Sequence, residues 1–346
     1  MPALFARSVH DISFYEKEIR DFLPETMVDI HTHIWLDAHK TRGAREFDRV
    51  VSWPMLVAKE NPVGDLVETY EILFPGKKVT PLLFSEVGPE DPIDTMNDYV
   101  AESGVKHDFS TLLFARPEWT GTELAEKIRS GAFIGVKVYL NLSPPWIPRD
   151  EIRISDFLPA HQLHELNRLG SLVMLHIPRS GRLADPVNIE QLMEIERNYP
   201  RVRLIVAHAG RAYCEADLGG ALDVLGKSRN MVFDFSANTN SGVFAAFLEV
   251  FGPHRCLFGS DLPITRMRMK RICLQGRYVN LVPRGLYGDV AADPNMAELD
   301  PPLSDGLSFF LYEEIQAIKV ACMKTGIDRA GVEAIFNGNG RRLLGR

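Results

Sequence analysis

Six residues in this 346-residue chain, all of types that hold metals or move protons, recur in comparable settings. His31 and His33 stand two apart at the end of the apolar stretch Met27-Val28-Asp29-Ile30. On a β-strand, residues i and i+2 share a face, so the two imidazoles project side by side. Imidazole pairs of this kind bind divalent transition metals. Lys137 lies late in Gly135-Val136-Lys137-Val138-Tyr139, and His176 ends Leu172-Val173-Met174-Leu175. His208 ends Leu204-Ile205-Val206-Ala207, and Asp261 follows Leu257-Phe258-Gly259-Ser260. A single histidine after an apolar strand is ordinarily a satisfied structural residue. Four histidines and one aspartate, each at the carboxyl end of such a run, point instead to a shared site.

The elements that must position them read as an alternation. Apolar, strand-like runs are expected at 27–33, 79–84, 109–114, 133–140, 171–176, 202–208, 231–235 and 256–260. Helical patterns fall between them at 63–73, 91–103, 122–130, 155–169, 187–198, 216–225 and 241–251, with Asp91-Pro92 as cap and first residue of the second. Eight strands alternating with helices describe a closed parallel barrel, and several strands are apolar on both faces as such a barrel requires. The predicted fold class is α/β, a distorted (β/α)8 TIM barrel with an N-terminal helix and a long insert after the eighth strand. The chain is read as one domain over 1–346, with barrel strands in 27–261, the insert at 262–306 and closing helices in 307–346. In a barrel of this kind catalytic groups come from the carboxyl ends of several strands, which is where all six residues fall. The long polar connection 35–62 is expected to be functional or to carry small elements of its own, and the Pro-, Gly- and Asp-rich insert would lie over that end as a lid, a substrate wall or an oligomer contact.

A net charge of -7, with basic residues scattered along the chain, argues against a general nucleic-acid or membrane-surface role. No apolar run is long enough to cross a membrane. Met1 to Arg20 has no apolar signal core, so a cytoplasmic location is expected. Cys214, Cys256, Cys273 and Cys322 form no CxxC pair and are expected to be reduced, buried thiols. The sequence does not fix the oligomeric state, for which a homodimer is the prior in such barrels.

The ordered set His31-X-His33, Gly135-X-Lys137, His176, His208-Ala-Gly and Gly259-Ser260-Asp261 resembles the amidohydrolase superfamily. It most resembles the amidohydrolase-2 branch, which includes aminocarboxymuconate-semialdehyde decarboxylase and related hydrolases and lactonases. The tail Ile335-Phe336-Asn337-Gly338-Asn339-Gly340-Arg341-Arg342-Leu343-Leu344 is similar to the closing helix of that branch. The resemblance implies one divalent metal ion, zinc or else manganese, at His31, His33, His176 and Asp261. It implies that His208 polarises substrate or moves a proton, or binds a second metal in dinuclear members. Dinuclear members often carry a carboxylated lysine near the place of Lys137, whereas the Gly-X-Lys form is common in mononuclear ones. Lys137 is therefore read either as a substrate-binding group or as half of a buried ion pair.

Three imidazoles and a carboxylate leave a zinc ion room for water, whose pKa falls toward about 7. Asp261 would take a proton from the attacking water and pass it to the leaving group. His208 would stabilise a developing oxyanion. Metal-bound imidazoles usually donate their other N–H to a partner. Asp234, near the end of the seventh strand, is the candidate for that role, with loop bonding as the alternative. Arg179, Arg182, Arg211, Arg266, Arg268, Lys270 and Arg271 follow the site strands, and guanidinium groups grip carboxylates. The expected partner is thus a small anionic substrate bearing a carboxylate, with Arg211 and Arg179 as candidate contacts. Metal-dependent hydrolysis of an ester, lactone or amide is the first reading. Non-oxidative decarboxylation on the same metal is the second, and a non-catalytic binding barrel the third.

Overall fold

A computed structural model of the chain describes residues 6–41 and 57–345. The middle of the expected 35–62 connection lies outside the described residues.

Parallel strands run in sequence order around a barrel. They are β1 (Thr26–His33), β2 (Lys78–Phe84), β3 (Ser110–Thr111), β4 (Leu113–Phe114), β5 (Gly135–Val138), β6 (Leu172–Leu175), β7 (Arg203–Val206), β8 (Val232–Asp234) and β9 (Cys256–Leu257). β1, β2 and β3 form one sheet, and β4 to β9 another. The third expected strand is thus split at Leu112, whose N–H still bonds the Leu83 carbonyl at 2.9 Å. At the other seam the ladder passes from β9 back to β1. Ile30 N–H donates to Phe258 O at 3.2 Å, Asp261 N–H to His31 O at 2.8 Å and His33 N–H to Leu262 O at 2.9 Å. These bonds close the barrel, and they lay Asp261 beside the two histidines of β1.

Alternation along each strand divides the core in two. Leu172 and Met174 of β6 join Val28, Ile30, Leu82, Phe84, Ile205 and Leu257 in an inner cluster. Val173 and Leu175 face the other way and pack in the larger cluster with the surrounding helices. Strands buried on both faces carry no polar alternation, which is why they read as plain apolar runs. Leu343 and Leu344 of the closing segment pack on the inner cluster.

The helices at Val63–Leu73 and Ser241–Phe251 keep their expected bounds. The one at Ile93–His107 does not begin on an Asp91 cap. Asp91 turns away, accepting from Gly88 N at 2.8 Å and Thr41 N at 2.9 Å, so its carboxylate ties loops together. The 216–225 pattern is interrupted by Gly219-Gly220, leaving a single 3-10 turn and the short helix Ala221–Leu225.

The insert carries its own structure. β10 (Lys270–Leu274) pairs antiparallel with β11 (Arg277–Pro283), and β11 pairs parallel with β12 (Met296–Leu299). The turn Gln275-Gly276 has φ values of 51° and 77°, the geometry of a tight hairpin. Met267, Met269, Val282, Tyr287, Val290 and Met296 give the insert a small core that also packs on Phe310.

The expectation of four reduced thiols is overturned as well. Cys214 and Cys273 form a disulfide, with Cα atoms 5.9 Å apart across 59 residues of sequence. Cys214 lies in the segment after His208 and Cys273 on β10, so the tertiary fold brings together two thiols that sequence spacing separates. Cys256 and Cys322 are free and buried, as expected. No helix among the described residues is long and apolar enough to cross a membrane.

Candidate metal centre

All six residues singled out by type converge at the carboxyl mouth of the barrel. The β1 pair lies with ring centroids 5.5 Å apart, and Phe84 from β2 packs edge-on against both rings. Gly259 makes this approach feasible, because a Cβ there would stand 2.8 Å from His31 Cβ. Backbone strain is concentrated here. His208 and Asp261 have φ values of 55° and 57°, a left-handed conformation that non-glycine residues adopt only when the surroundings enforce it.

The outward ring nitrogens are engaged by protein acceptors. His31 Nδ1 donates to Asp234 Oδ2 at 2.9 Å, and His33 Nδ1 to Ser85 O at 3.2 Å. His208 Nδ1 lies 3.1 Å from Ser236 O and 2.9 Å from Ser236 Oγ. With the proton on Nδ1 in each case, Nε2 carries a lone pair facing inward. His31 Nε2 and His33 Nε2 then stand 3.5 and 3.4 Å from the same oxygen, Asp261 Oδ1. Three electron-rich atoms converge there. A tetrahedral ion with bonds near 2.0–2.1 Å spaces its ligand atoms roughly 3.4 Å apart. His31, His33 and Asp261 therefore fit a divalent cation in both chemistry and spacing.

His176 and His208 form a second grouping with His31. Their Nε2 atoms are 2.7 Å apart, a hydrogen-bond distance rather than the separation of two ligands on one ion. His176 donates in that bond, since His208 Nε2 has the free lone pair. Its Nδ1 then accepts from Lys137 Nζ at 3.2 Å, and the same ammonium reaches His31 Nε2 at 3.2 Å. Lys137 therefore competes with a metal for the lone pair of His31. Of the four expected ligands, the structure groups three around Asp261 Oδ1 and sets His176 beside His208 and Lys137.

Burial dominates the electrostatics. It pushes His31 down to about 3, with the Lys137 ammonium acting in the same direction, and it lowers His176 and His208 as well. These imidazoles are neutral at physiological pH, the form in which they ligate. Burial also draws Lys137 down to about 7 against the opposing pull of Asp261 and Asp234. For Asp261 burial works upward, but His208, His33 and His31 outweigh it and hold the carboxyl at about 2. Asp234 is lowered in the same way, chiefly by His31.

Both oxygens of Asp234 are engaged. One oxygen orients His31, while the other accepts from His208 N and Ser236 N at 3.0 Å each. The two outer arginines are less free. Arg211 donates through Nη1 to the carbonyls of Ile177, Pro178 and Arg179 at 3.1 to 3.2 Å, and Arg179 is paired with Asp185 at 3.0 Å.

Sequence reasoning missed Ser236, Ser85, Asp29 and Tyr139. Asp29 accepts from His31 N at 3.1 Å, Ser260 N at 2.8 Å and the Tyr70 hydroxyl at 2.8 Å, stitching β1 to the segment that carries Asp261. Its place two residues before His31 is a signal, a polar residue in an otherwise apolar strand start. Ser85 uses only its carbonyl on His33, which no side-chain pattern reveals. Tyr139 lays its ring against His176 at 4.8 Å.

Fold and site together define a (β/α)8 barrel whose carboxyl mouth carries a histidine–aspartate cluster able to hold a single divalent ion. Residues 28–346 match the family described as Amidohydrolase, and the chain belongs to that family. No curated protein matches the sequence significantly. Among solved structures, a probable 2-pyrone-4,6-dicarboxylic acid hydrolase from Acinetobacter baumannii with citric acid bound is 17% identical, covering 92% of this chain and 99% of its own, with a TM-score of 0.54. A Burkholderia multivorans amidohydrolase with bound zinc is 13% identical over 92% and 99%, TM-score 0.58. A dihydroxybenzoic acid decarboxylase from Polaromonas sp. JS666 with bound manganese and 2-nitroresorcinol is 14% identical over 93% and 97%, TM-score 0.54. At these identities the likeness is one of fold.

Proposed function

We propose that the protein hydrolyses an ester, lactone or amide bond in a small carboxylated substrate, with one divalent metal ion held by His31, His33 and Asp261 and with His176 beside them. The observation that carries this reading is the convergence of His31 Nε2 and His33 Nε2 on one Asp261 carboxylate oxygen, with both Nδ1 atoms turned to protein acceptors. Zinc suits nitrogen and oxygen ligands at this spacing. Such an ion supplies Lewis acidity and brings the pKa of a water toward neutrality.

The chain's own residues do the rest. Asp261 stays ionised at neutral pH, and its second oxygen takes a proton from the attacking water and returns it to the leaving group. His208, neutral with its Nε2 lone pair turned to the same space, is placed to take up a proton during the reaction and so to stabilise a developing oxyanion. Asp234 and Ser236 hold the His31 and His208 rings in orientation. Lys137 at the floor and Arg211 and Arg179 on the outer loops supply positive charge toward an anionic substrate.

The test pairs two assays on chelator-treated protein, with and without added zinc. Carboxylate-bearing lactones are followed for acid release, and aromatic and enoic acids for carbon dioxide release. Zinc-dependent acid release is expected. Carbon dioxide release alone would move the protein to the decarboxylases, which share this fold. Neither product would leave a barrel that binds without catalysing.

A further inference from the structure

A buried guanidinium without a carboxylate is costly, so a partner is expected for each one. Most basic side chains that follow the site strands have theirs. Arg182 pairs with Asp217 at 2.9 Å, Arg268 with Asp11 at 2.6 Å, and Lys270 with Glu313 at 3.3 Å, as Arg179 does with Asp185.

Arg271 differs. It sits on β10 of the insert and is only 8% exposed. Its guanidinium lies against three rings, Tyr213 at 4.5 Å, Tyr278 at 4.7 Å and Phe310 at 4.8 Å. Nε donates to Asn280 Oδ1 at 2.8 Å and Nη1 to Ala237 O at 2.5 Å. Both acceptors are neutral, so they orient the group without neutralising it. Among the described residues none offers Arg271 a carboxylate within ion-pair distance, and Nη2 has no protein acceptor. Arg182, of like charge, lies over the same two tyrosines at 5.3 and 4.8 Å.

The position of Arg271 ties it to the metal mouth. Ala237, whose carbonyl it grips, follows Ser236, which holds His208. Asp261 lies within its electrostatic reach. Cys273, two residues along the same strand, is fastened by the disulfide to Cys214, next to Tyr213. The strand that carries Arg271 is therefore pinned to the segment that carries His208.

We propose that Arg271 is the carboxylate anchor of the substrate pocket, binding one carboxylate of the substrate through Nη2. The anion supplies the missing counter-charge, and the insert thereby sets substrate choice as a wall of the site. This assignment rests on reading the mouth as a substrate site, and it moves the principal anion contact from Arg211 to a residue on the insert. A guanidinium already fixed by two bonds and three rings binds a carboxylate with little ordering cost.

The test uses the full chain stripped of metal, so that no metal–carboxylate bond contributes. Calorimetric titration compares benzoate with benzamide, which has the same shape without the charge. Wild-type protein is expected to bind benzoate at least tenfold more tightly. Arg271→Gln should abolish that preference, and Arg271→Lys should keep only part of it, because an ammonium cannot reproduce the planar fork. Arg284→Gln, an exposed arginine at the end of β11 paired with Asp300, should leave it intact. Equal binding of the two probes by wild type, an undiminished preference in either Arg271 variant, or an equal loss in the Arg284 variant would overturn the proposal. Near-ultraviolet circular dichroism reports whether the glutamine variant is folded, and if it is not, the lysine variant decides. Failure of every lactone to turn over would sink the hydrolytic reading and leave this one standing. An unchanged KM in Arg271→Gln beside normal turnover would do the reverse.

Discussion

Asp234 is where the smallest change should have the largest effect on the metal centre. Its two oxygens hold a histidine ring and two backbone N–H groups, all buried. Asp234→Asn keeps the shape but replaces a charge-assisted acceptor on His31 Nδ1. Loss of such a partner ordinarily weakens metal binding by about 10- to 100-fold. Zinc titration against a competing chelator should show that drop, with the far-ultraviolet spectrum unchanged. An affinity equal to wild type would mean that His31 does not ligate. For Asp261→Asn the expectation is a fall in kcat of about a thousandfold, the scale of a lost general base. Turnover within tenfold of wild type would remove Asp261 from the mechanism.

At the scale of elements, two fastenings tie the insert to the N-terminal helix and to the segment after His208. Arg268 grips both oxygens of Asp11 at 2.9 and 2.6 Å, and Ser308 adds a third bond at 2.8 Å. Burial raises the Asp11 carboxyl, but Arg268 and Ser8 outweigh it and the net shift is downward. A depressed folded pKa gives stability that is present above the unfolded value and lost as pH falls through the folded one. Asp11→Asn should therefore melt below wild type at neutral pH, by up to about 3 kcal/mol. The gap should close as the pH is lowered below about 4. A gap independent of pH would show that the carboxylate charge is irrelevant. The second fastening is the disulfide. Closing a loop of 59 residues stabilises by up to about 4 kcal/mol on the chain-entropy view, so Cys273→Ser should unfold at lower denaturant concentration. No shift would mean that the bond is not formed in solution. A reducing cytoplasm would work against this bond, so thiol labelling in the cell would test the cytoplasmic location expected from the sequence.

For the whole molecule, the barrel is complete only where β9 meets β1. That seam brings Asp261 to the β1 histidines, so an ion bound there links the last strand to the first. An ion that binds only the folded state stabilises it by about 2.7 kcal/mol at a hundred times its dissociation constant. Zinc added to chelator-treated protein should raise the melting temperature by a few degrees, and that rise should vanish in His33→Ala. A flat response in wild type would argue that the converging lone pairs bind no metal.

Much of this was legible in the chain itself. Strand runs, helix periods and cap residues are local, and the placement of His31, His33, Lys137, His176, His208 and Asp261 at strand ends followed from them. Where local rules had competitors, they lost. Asp91 spent its carboxylate on loops instead of a helix cap, and the third strand broke at Leu112. The insert's sheet was hidden by Pro and Gly, which mark turns without saying what pairs between them. What only the tertiary structure decided were contacts between residues far apart in the chain. They include the Cys214–Cys273 bond, the His176–His208 hydrogen bond, and an arginine with no carboxylate within ion-pair distance among the described residues. Sequence periodicity fixes which way a side chain faces along its own element. Barrel closure and loop packing fix what it meets there, and no local pattern encodes that.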